Sequence, residues 1–220
     1  MQNESGSPQA IVATTSHSSP DNRCFGLVVS PKSKAQTLAD LKGKDIAVSS
    51  ATIIDFLLAQ LLQQEGAAPD FLNRQDIRQI PVRLQMLLSG QIESALLPEP
   101  LVSLVEAKGA RTILNDCKLN TPLAVIALKR RARRPGGARP WRNSARFQRS
   151  GEVHQRNPDA YCPIMEAKGL LPTLPPITMV RFDMTHTPIG LPSEADIKTF
   201  ADWMKANCIL KKDPPWGCGL

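Results

Sequence analysis

Between residues 38 and 116 the chain alternates short apolar runs with longer stretches in which apolar residues return at helical spacing. A polar approach, Leu38-Ala39-Asp40-Leu41-Lys42-Gly43-Lys44, leads into the run Ile46-Ala47-Val48, which stops at Ser49, Ser50, Ala51 and Thr52. Ile53, Leu57 and Leu61, beside Ile54, Leu58 and Leu62, then recur in steps of four until Gly66. That period puts them on one face of a helix, with Ser50 or Thr52 as its N-cap and Gly66 at its end. Val82, Met86 and Leu87 predict a second helical stripe, and Ser89-Gly90-Gln91 a turn. Residues 92–97 then predict a strand delivering Leu97-Pro98-Glu99-Pro100 to a helix that starts near Leu101. The pattern is a strand, helix, strand, helix module of the α/β class.

Two places in this module carry candidate chemistry. The first turn of the helix after Thr52 has unpaired backbone N–H groups and the positive end of the helix dipole. Set beside the hydroxyls of Ser49, Ser50 and Thr52 at the carboxyl end of a strand, these groups suit a carboxylate, sulfonate or phosphate. By itself simple capping is the better reading of these residues, since almost every helix needs a cap and few bind ligands. Glu99 is held between two prolines that remove backbone donors and restrict the chain. It reads either as an acceptor for a ligand hydroxyl, amine or amide, or as an N-cap or first-turn acid of the next helix.

Asp40-Leu41-Lys42-Gly43-Lys44, the turn at 49–52, Ile80-Pro81-Val82-Arg83-Leu84-Gln85-Met86-Leu87, Ser89-Gly90-Gln91 and Leu97-Pro98-Glu99-Pro100 together resemble the solute-binding proteins of ABC importers. The closest resemblance is to the NMT1/THI5-like branch, which binds nitrate, sulfonates, taurine and thiamine-precursor pyrimidines. It implies a fold of the periplasmic-binding-protein type II kind, two α/β lobes on a hinge closing over a small solute.

On that pattern residues 1–30 are a remnant of the first lobe with the first hinge strand, and 31–121 are the second lobe. Residues 122–128 are the second hinge strand, 129–156 an irregular Arg-rich segment, and 157–220 a C-terminal helical part of the first lobe. The apolar runs Phe25-Gly26-Leu27-Val28-Val29-Ser30 and Pro122-Leu123-Ala124-Val125-Ile126-Ala127 are the expected crossings. Ile11-Val12-Ala13-Thr14-Thr15-Ser16 resembles the last strand of the first lobe and its ligand-facing loop, which adds Thr14 and Thr15 to the candidate site. Ser49, Ser50, Ala51 and Thr52 would hold the solute's polar or anionic end, and Glu99 would accept a hydrogen bond. The family has about a hundred residues before this point, so the chain reads as truncated, and with half the cleft walls missing its affinity is expected to be weak or absent. The resemblance also implies an ABC permease as partner, a monomer, and a periplasmic or other extracytoplasmic location. Residues 1–8 are polar and do not form a signal peptide.

Charge alters one part of this picture. The net charge is +7, which by itself suggests nucleic acid or an acidic surface as partner. Residues 129–156, however, hold nine Arg and one Lys against the single acid Glu152, a net of +9, while the remainder carries 17 basic and 19 acidic residues. The charge belongs to an insert without helical or strand period. One reading is a nucleic-acid-binding arm, with Trp141 and Phe147 stacking among arginines 130–149. The preferred reading is a stretch translated out of frame. Family members have an apolar-periodic helix here, and back-translating its usual ending two bases earlier gives Gly151-Glu152-Val153-His154-Gln155. Nucleic acid is accordingly not favoured as a partner.

Beyond the insert, residues 161–167 predict a short helix and 172–176 an extended loop. Pro192-Ser193-Glu194 starts a last helix with Ile197, Phe200, Ala201 and Met204 on its apolar face. Cys24, Cys117, Cys162, Cys208 and Cys218 show no CxxC spacing, so a partly buried thiol is the default for each. His17, His154 and His186 are scattered. No Ser/His/Asp set, paired-carboxylate site or glycine-rich phosphate loop assembles, so neither catalysis nor a metal or cofactor is expected. A pyrimidine synthase of thiamine biosynthesis shares the implied fold, but its reactive His and Cys-rich loop has no counterpart here. An effector domain of a transcription regulator shares it too and would want a helix-turn-helix. No apolar run reaches the roughly eighteen residues a membrane span needs.

Overall fold

A computed structural model of the chain describes residues 9–20, 23–129 and 191–210. The Arg-rich stretch beyond Lys129, the expected helix at 161–167, the loop at 172–176, and Cys162, Cys218, His154 and His186 lie outside the described residues.

Among the described residues, seven strands and four helices follow in the order β1 Gln9–His17, β2 Phe25–Val29, β3 Asp45–Val48, α1 Ile53–Gln64, β4 Asn73–Asp76, α2 Ile80–Ser89, β5 Ser94–Pro98, α3 Leu101–Ala107, β6 Arg111–Asn115, β7 Pro122–Lys129 and α4 Glu194–Ala206. Five strands form one sheet in the order β4-β3-β5-β2-β6, and β1 pairs with β7 in a separate antiparallel pair. Within the larger sheet β3 runs parallel to β4 and β5, while β2 is antiparallel to both β5 and β6.

Both faces of the five-stranded sheet are covered, which is why its inner strands are continuously apolar instead of alternating. Leu27, Val29, Ile46, Val48 and Leu96 point to one face and pack with Phe56, Leu57, Leu58, Leu61 and Leu62 of α1. Val28, Ala47, Ala95 and Leu97 point to the other and pack with Leu87 of α2 and with Val102 and Val105 of α3. Gly26 allows α3 to come close to β2, since a Cβ there would stand 3.2 Å from Val102 Cγ1. Gly90 closes α2 in a left-handed C-cap at φ +76°, a conformation glycine takes without steric cost.

The module expected from the apolar spacing is present, with four differences. Phe25–Val29 does not stand apart as a crossing: it is β2, hydrogen-bonded on both sides within the five-stranded sheet. The chain instead leaves β1 at Ser18 and enters β2 after Cys24, and leaves β6 through residues 116–121, and the two passages are joined where Ser18 N donates to Thr121 O at 3.0 Å. In α2 the buried face is set by Leu87 and Arg83, while Val82 is exposed. Periodicity scored Arg83 as polar, yet its guanidinium reaches carbonyls inside the fold. β4 was invisible to an apolar pattern because Asn73, Arg74, Gln75 and Asp76 are all exposed, and the strand exists through backbone pairing to β3.

The fourth difference concerns α4, assigned by resemblance to the other lobe. Its Ser193 cap forms the reciprocal capping box with Asp196. Its Phe200 ring stacks on Phe56 of α1 at a centroid distance of 4.0 Å, and Trp203 meets the same ring edge-on at 5.5 Å. The helix is therefore seated on the core of the five-stranded sheet.

Candidate functional site

The strand directions gather five segments at one edge of the large sheet. β3, β4 and β5 end there, so the loop after Val48, the residues following Asp76 and the corner at 98–100 emerge together. Phe25 is paired with Pro98 and Gly26 with Asn115, which brings the start of β2 and the end of β6 to that edge as well. Ligands of open α/β sheets sit outside the carboxyl ends of the strands. Both passages to the β1–β7 pair also leave from this edge.

Ser49, Ser50, Ala51 and Thr52 form the turn from β3 to α1. Thr52 is the N-cap: its Oγ1 donates to Ser49 O at 2.6 Å and accepts from Ile54 N at 3.2 Å. Ser49 is buried, and Ala51 takes the left-handed region at φ +59°, unusual for a residue with a Cβ. Two of the turn's amides have acceptors within the chain. Ser50 N donates to Asp76 Oδ1 at 2.9 Å and Ala51 N to Asp55 Oδ2 at 3.1 Å. The Ser50 N–H and then the Arg78 guanidinium hold the Asp76 carboxyl below its ordinary range. Arg74 Nε lies 3.6 Å from Asp55 Oδ1, and Arg78 Nε 3.1 Å from Asp76 Oδ2. The turn is thus rimmed by two acids, each with an arginine beside it.

Glu99 stands at the same edge, before a cis peptide to Pro100. Its Oε2 accepts from Ser103 N at 3.2 Å and Ser103 Oγ at 3.0 Å, so Glu99, just before the N-cap Pro100, satisfies an amide of the first turn of α3. Its Oε1 accepts from Arg23 Nε at 2.7 Å. Of the two roles open to it, capping has its hydrogen bonds in place. Thr14 and Thr15 are in neither a loop nor this cluster: they lie within β1, where Thr14 pairs with Val125 and Thr15 occupies a bulge.

Arg23 was missed because nothing in its local sequence distinguishes it. It donates to Glu99, to both carboxylate oxygens of Glu106 at 2.9 Å, and to Ser103 Oγ at 3.3 Å. Burial alone would lower its pKa, but the Glu106 hydrogen bond and the Glu99 charge reverse the sign and raise it. Asp116 was missed for the same reason: fully buried, its Oδ1 accepts from Cys24 N at 2.9 Å and Phe25 N at 3.0 Å. Asp55 did carry a signal, since Thr-x-x-Asp is the spacing of a capping box. Among the described residues no group of three or more His, Cys, Asp and Glu is placed to hold a metal, and no helix is long and apolar enough to cross a membrane.

The sequence model of the family described as NMT1/THI5 like matches residues 1–123, more than half of the chain. The chain belongs to the NMT1/THI5-like family. Solved structures match this fold along nearly the whole chain. The alkanesulfonate-binding protein SsuA from Xanthomonas axonopodis pv. citri, bound to MOPS, superposes at a TM-score of 0.75 with 22% identity, over 94% of this chain and 72% of its own. The periplasmic aliphatic sulphonate binding protein SsuA from Escherichia coli superposes at 0.77 with 18% identity, over 96% and 72%. The desulfurization enzyme DSZB, as a mutant in complex with biphenyl-2-sulfinic acid, matches at 0.62 with 15% identity, over 94% and 74%. No curated protein matches the sequence. The NMT1/THI5-like chain therefore has the periplasmic-binding-protein type II fold, as the motifs implied.

Proposed function

We propose that this chain is the solute-binding component of an ABC importer, working outside the cytoplasm with a permease partner and taking a small polar or anionic solute. The observation that carries the reading is the meeting, at the carboxyl edge of β3 and β5, of the 49–52 turn, the N-terminal end of α1 and the 98–100 corner. Both passages to the second sheet leave from that edge, so a solute there would lie between two walls. The large sheet supplies Ser49, Ser50, Ala51, Thr52 and Glu99, and the β1–β7 pair supplies Thr14 and Thr15. Family membership and the likeness to two sulfonate-binding proteins support the same reading and make aliphatic sulfonates the first class to test.

Because Asp76 and Asp55 hold the Ser50 and Ala51 amides, an anionic solute must displace them. The expected affinity is therefore weak, near the millimolar range that corresponds to about −4 kcal/mol. Calorimetric titration with ethanesulfonate, taurine, MOPS and nitrate should give saturable one-to-one heats for at least one of them. If none saturates, the reading fails.

The fold is shared with a desulfurization enzyme, so architecture alone does not separate binder from catalyst. Cys24, the thiol preceding β2 at this edge, favours the binder: burial, helped by the charge of Asp116, pushes it up to about 11. A nucleophilic cysteine needs the opposite shift.

A further inference from the structure

Arg83 is fully buried, and among the described residues no carboxylate lies within ion-pair distance of it. Its donors end on two carbonyls: Nη2 and Nε on Ile77 O at 2.8 and 3.2 Å, and Nη1 on Leu96 O at 3.0 Å. Carbonyls answer its hydrogen bonds but leave its charge without a counter-ion, which is costly inside a fold. They also place that charge directly behind the carboxyl edge of the large sheet. Ile77 follows Asp76, the last residue of β4, and its N–H donates at 2.9 Å to Val48 O, where β3 ends before the 49–52 turn. Asp76 in turn accepts from Ser50 N at 2.9 Å. The guanidinium is thus hydrogen-bonded to the residue next to Asp76, and Asp76 to the turn.

The other charges at this turn cancel. Asp55 stands with Arg74 at 3.6 Å and Asp76 with Arg78 at 3.1 Å, two acids against two bases, so Arg83 is the surplus. At the 98–100 corner the surplus has the other sign, Glu99 and Glu106 against Arg23, so a positive excess belongs to the turn alone. We propose that Arg83 is a specificity-determining residue of the candidate site, its unneutralised charge making the 49–52 turn prefer an anionic solute to a neutral one of the same shape. The inference rests on the solute-binding reading above and names what would set the sign of the solute.

Having no exposed surface, Arg83 touches no solute and acts through its charge. Asp76 and Arg78 are exposed, so water and salt screen them, whereas a buried charge is screened much less. Burial lowers the pKa of Arg83 and the charge of Asp76 opposes that shift, yet a guanidinium remains charged throughout. A solute that takes Ser50 N must displace the Asp76 carboxylate from it. An anion brings a negative charge to the place the carboxylate leaves and so keeps the attraction to Arg83. A neutral solute gives that attraction up.

The test is a pair of amide NMR titrations of the full-length chain, with ethanesulfonate and with ethanesulfonamide, its neutral near-isostere, read at the Ser50 amide. The parent should bind the anion at least about fivefold more tightly, and Arg83→Gln, which keeps an amide donor but no charge, should bring that ratio below about twofold. A merely structural role would weaken both solutes alike and leave the ratio unchanged, and that result, or a parent ratio near one, would overturn the proposal. Should Arg83→Gln not fold, the exposed pair decides: in Asp76→Asn with Arg78→Gln the absolute affinities will shift, since Asp76 holds Ser50 N, but the ratio should stay near its parent value. Its collapse there would assign the preference to the rim charges and overturn the proposal. Failure of either solute to saturate the parent is a different outcome: it overturns the solute-binding reading at this turn, and the role of Arg83 with it.

Discussion

Arg23 and Glu106 form a two-pronged pair, Nη1 and Nη2 each donating to one carboxylate oxygen at 2.9 Å. The same guanidinium bonds Glu99, so one side chain ties the segment before β2 to α3 and to the corner that follows β5. Charge-assisted bidentate bonds are among the stronger polar contacts, and partial exposure reduces their worth. A double-mutant cycle of Arg23→Met and Glu106→Gln, read by urea unfolding, should give a coupling of about 1–2 kcal/mol. Independent effects of the two substitutions would contradict the pairing.

The same pair sets a pH dependence. Burial would raise the Glu106 carboxyl, but hydrogen bonds from Arg23 and Thr112 outweigh it and hold it below the ordinary 4.5. A depressed carboxyl contributes stability above its unfolded value, and that contribution is lost as pH falls through the folded value. Acid unfolding below about pH 4.5 should be steeper in the parent chain than in Arg23→Met. Equal slopes would count against the network.

Asp116 has the opposite sign. Burial raises it above the ordinary 3.8 despite two backbone donors, and its Oδ2 has no hydrogen-bond partner. The folded state binds the proton more tightly than the unfolded state, so this group costs stability as pH rises from about 3.8 through its folded value. Asn at this position keeps the Oδ1 acceptor without the charge. The stability of Asp116→Asn relative to the parent should be higher at pH 7 than at pH 4 in urea titrations, and a difference unchanged with pH would refute this.

Arg83, fully buried, directs its donors to backbone carbonyls. Nη1 reaches Leu96 O at 3.0 Å, and Nη2 and Nε reach Ile77 O at 2.8 and 3.2 Å. Arg83→Met should cost about 2–4 kcal/mol, because two inward-facing carbonyls lose their partner. A loss below about 1 kcal/mol would mean that water replaces the guanidinium without penalty.

Much of this fold was legible in the sequence because its inner elements are simple. Ile46-Ala47-Val48 and Ile54, Leu57, Leu58, Leu61 and Leu62 are buried as apolar spacing predicts, with Ile53 half-buried, and Thr52 caps the helix it precedes. What escaped has a common cause. β4 is held by backbone pairing alone, Arg83 is buried through carbonyls 6 and 13 residues away in sequence, and Arg23 meets partners 76 to 83 residues on. Local periodicity contains none of that information. The hydroxyl turn was legible as a place, but the acids occupying its amides were not, since Asp76 sits on the strand that the pattern did not show.

The most direct measurement is an amide NMR titration of the intact chain with ethanesulfonate, taurine, MOPS and nitrate, a method that detects even millimolar binding. A solute received at the carboxyl edge should move the Ser50 and Ala51 amides along a saturable curve, since it must displace Asp76 and Asp55 from them. Linear, non-saturating shifts for every solute, or saturable shifts confined to residues away from this edge, would contradict the assignment.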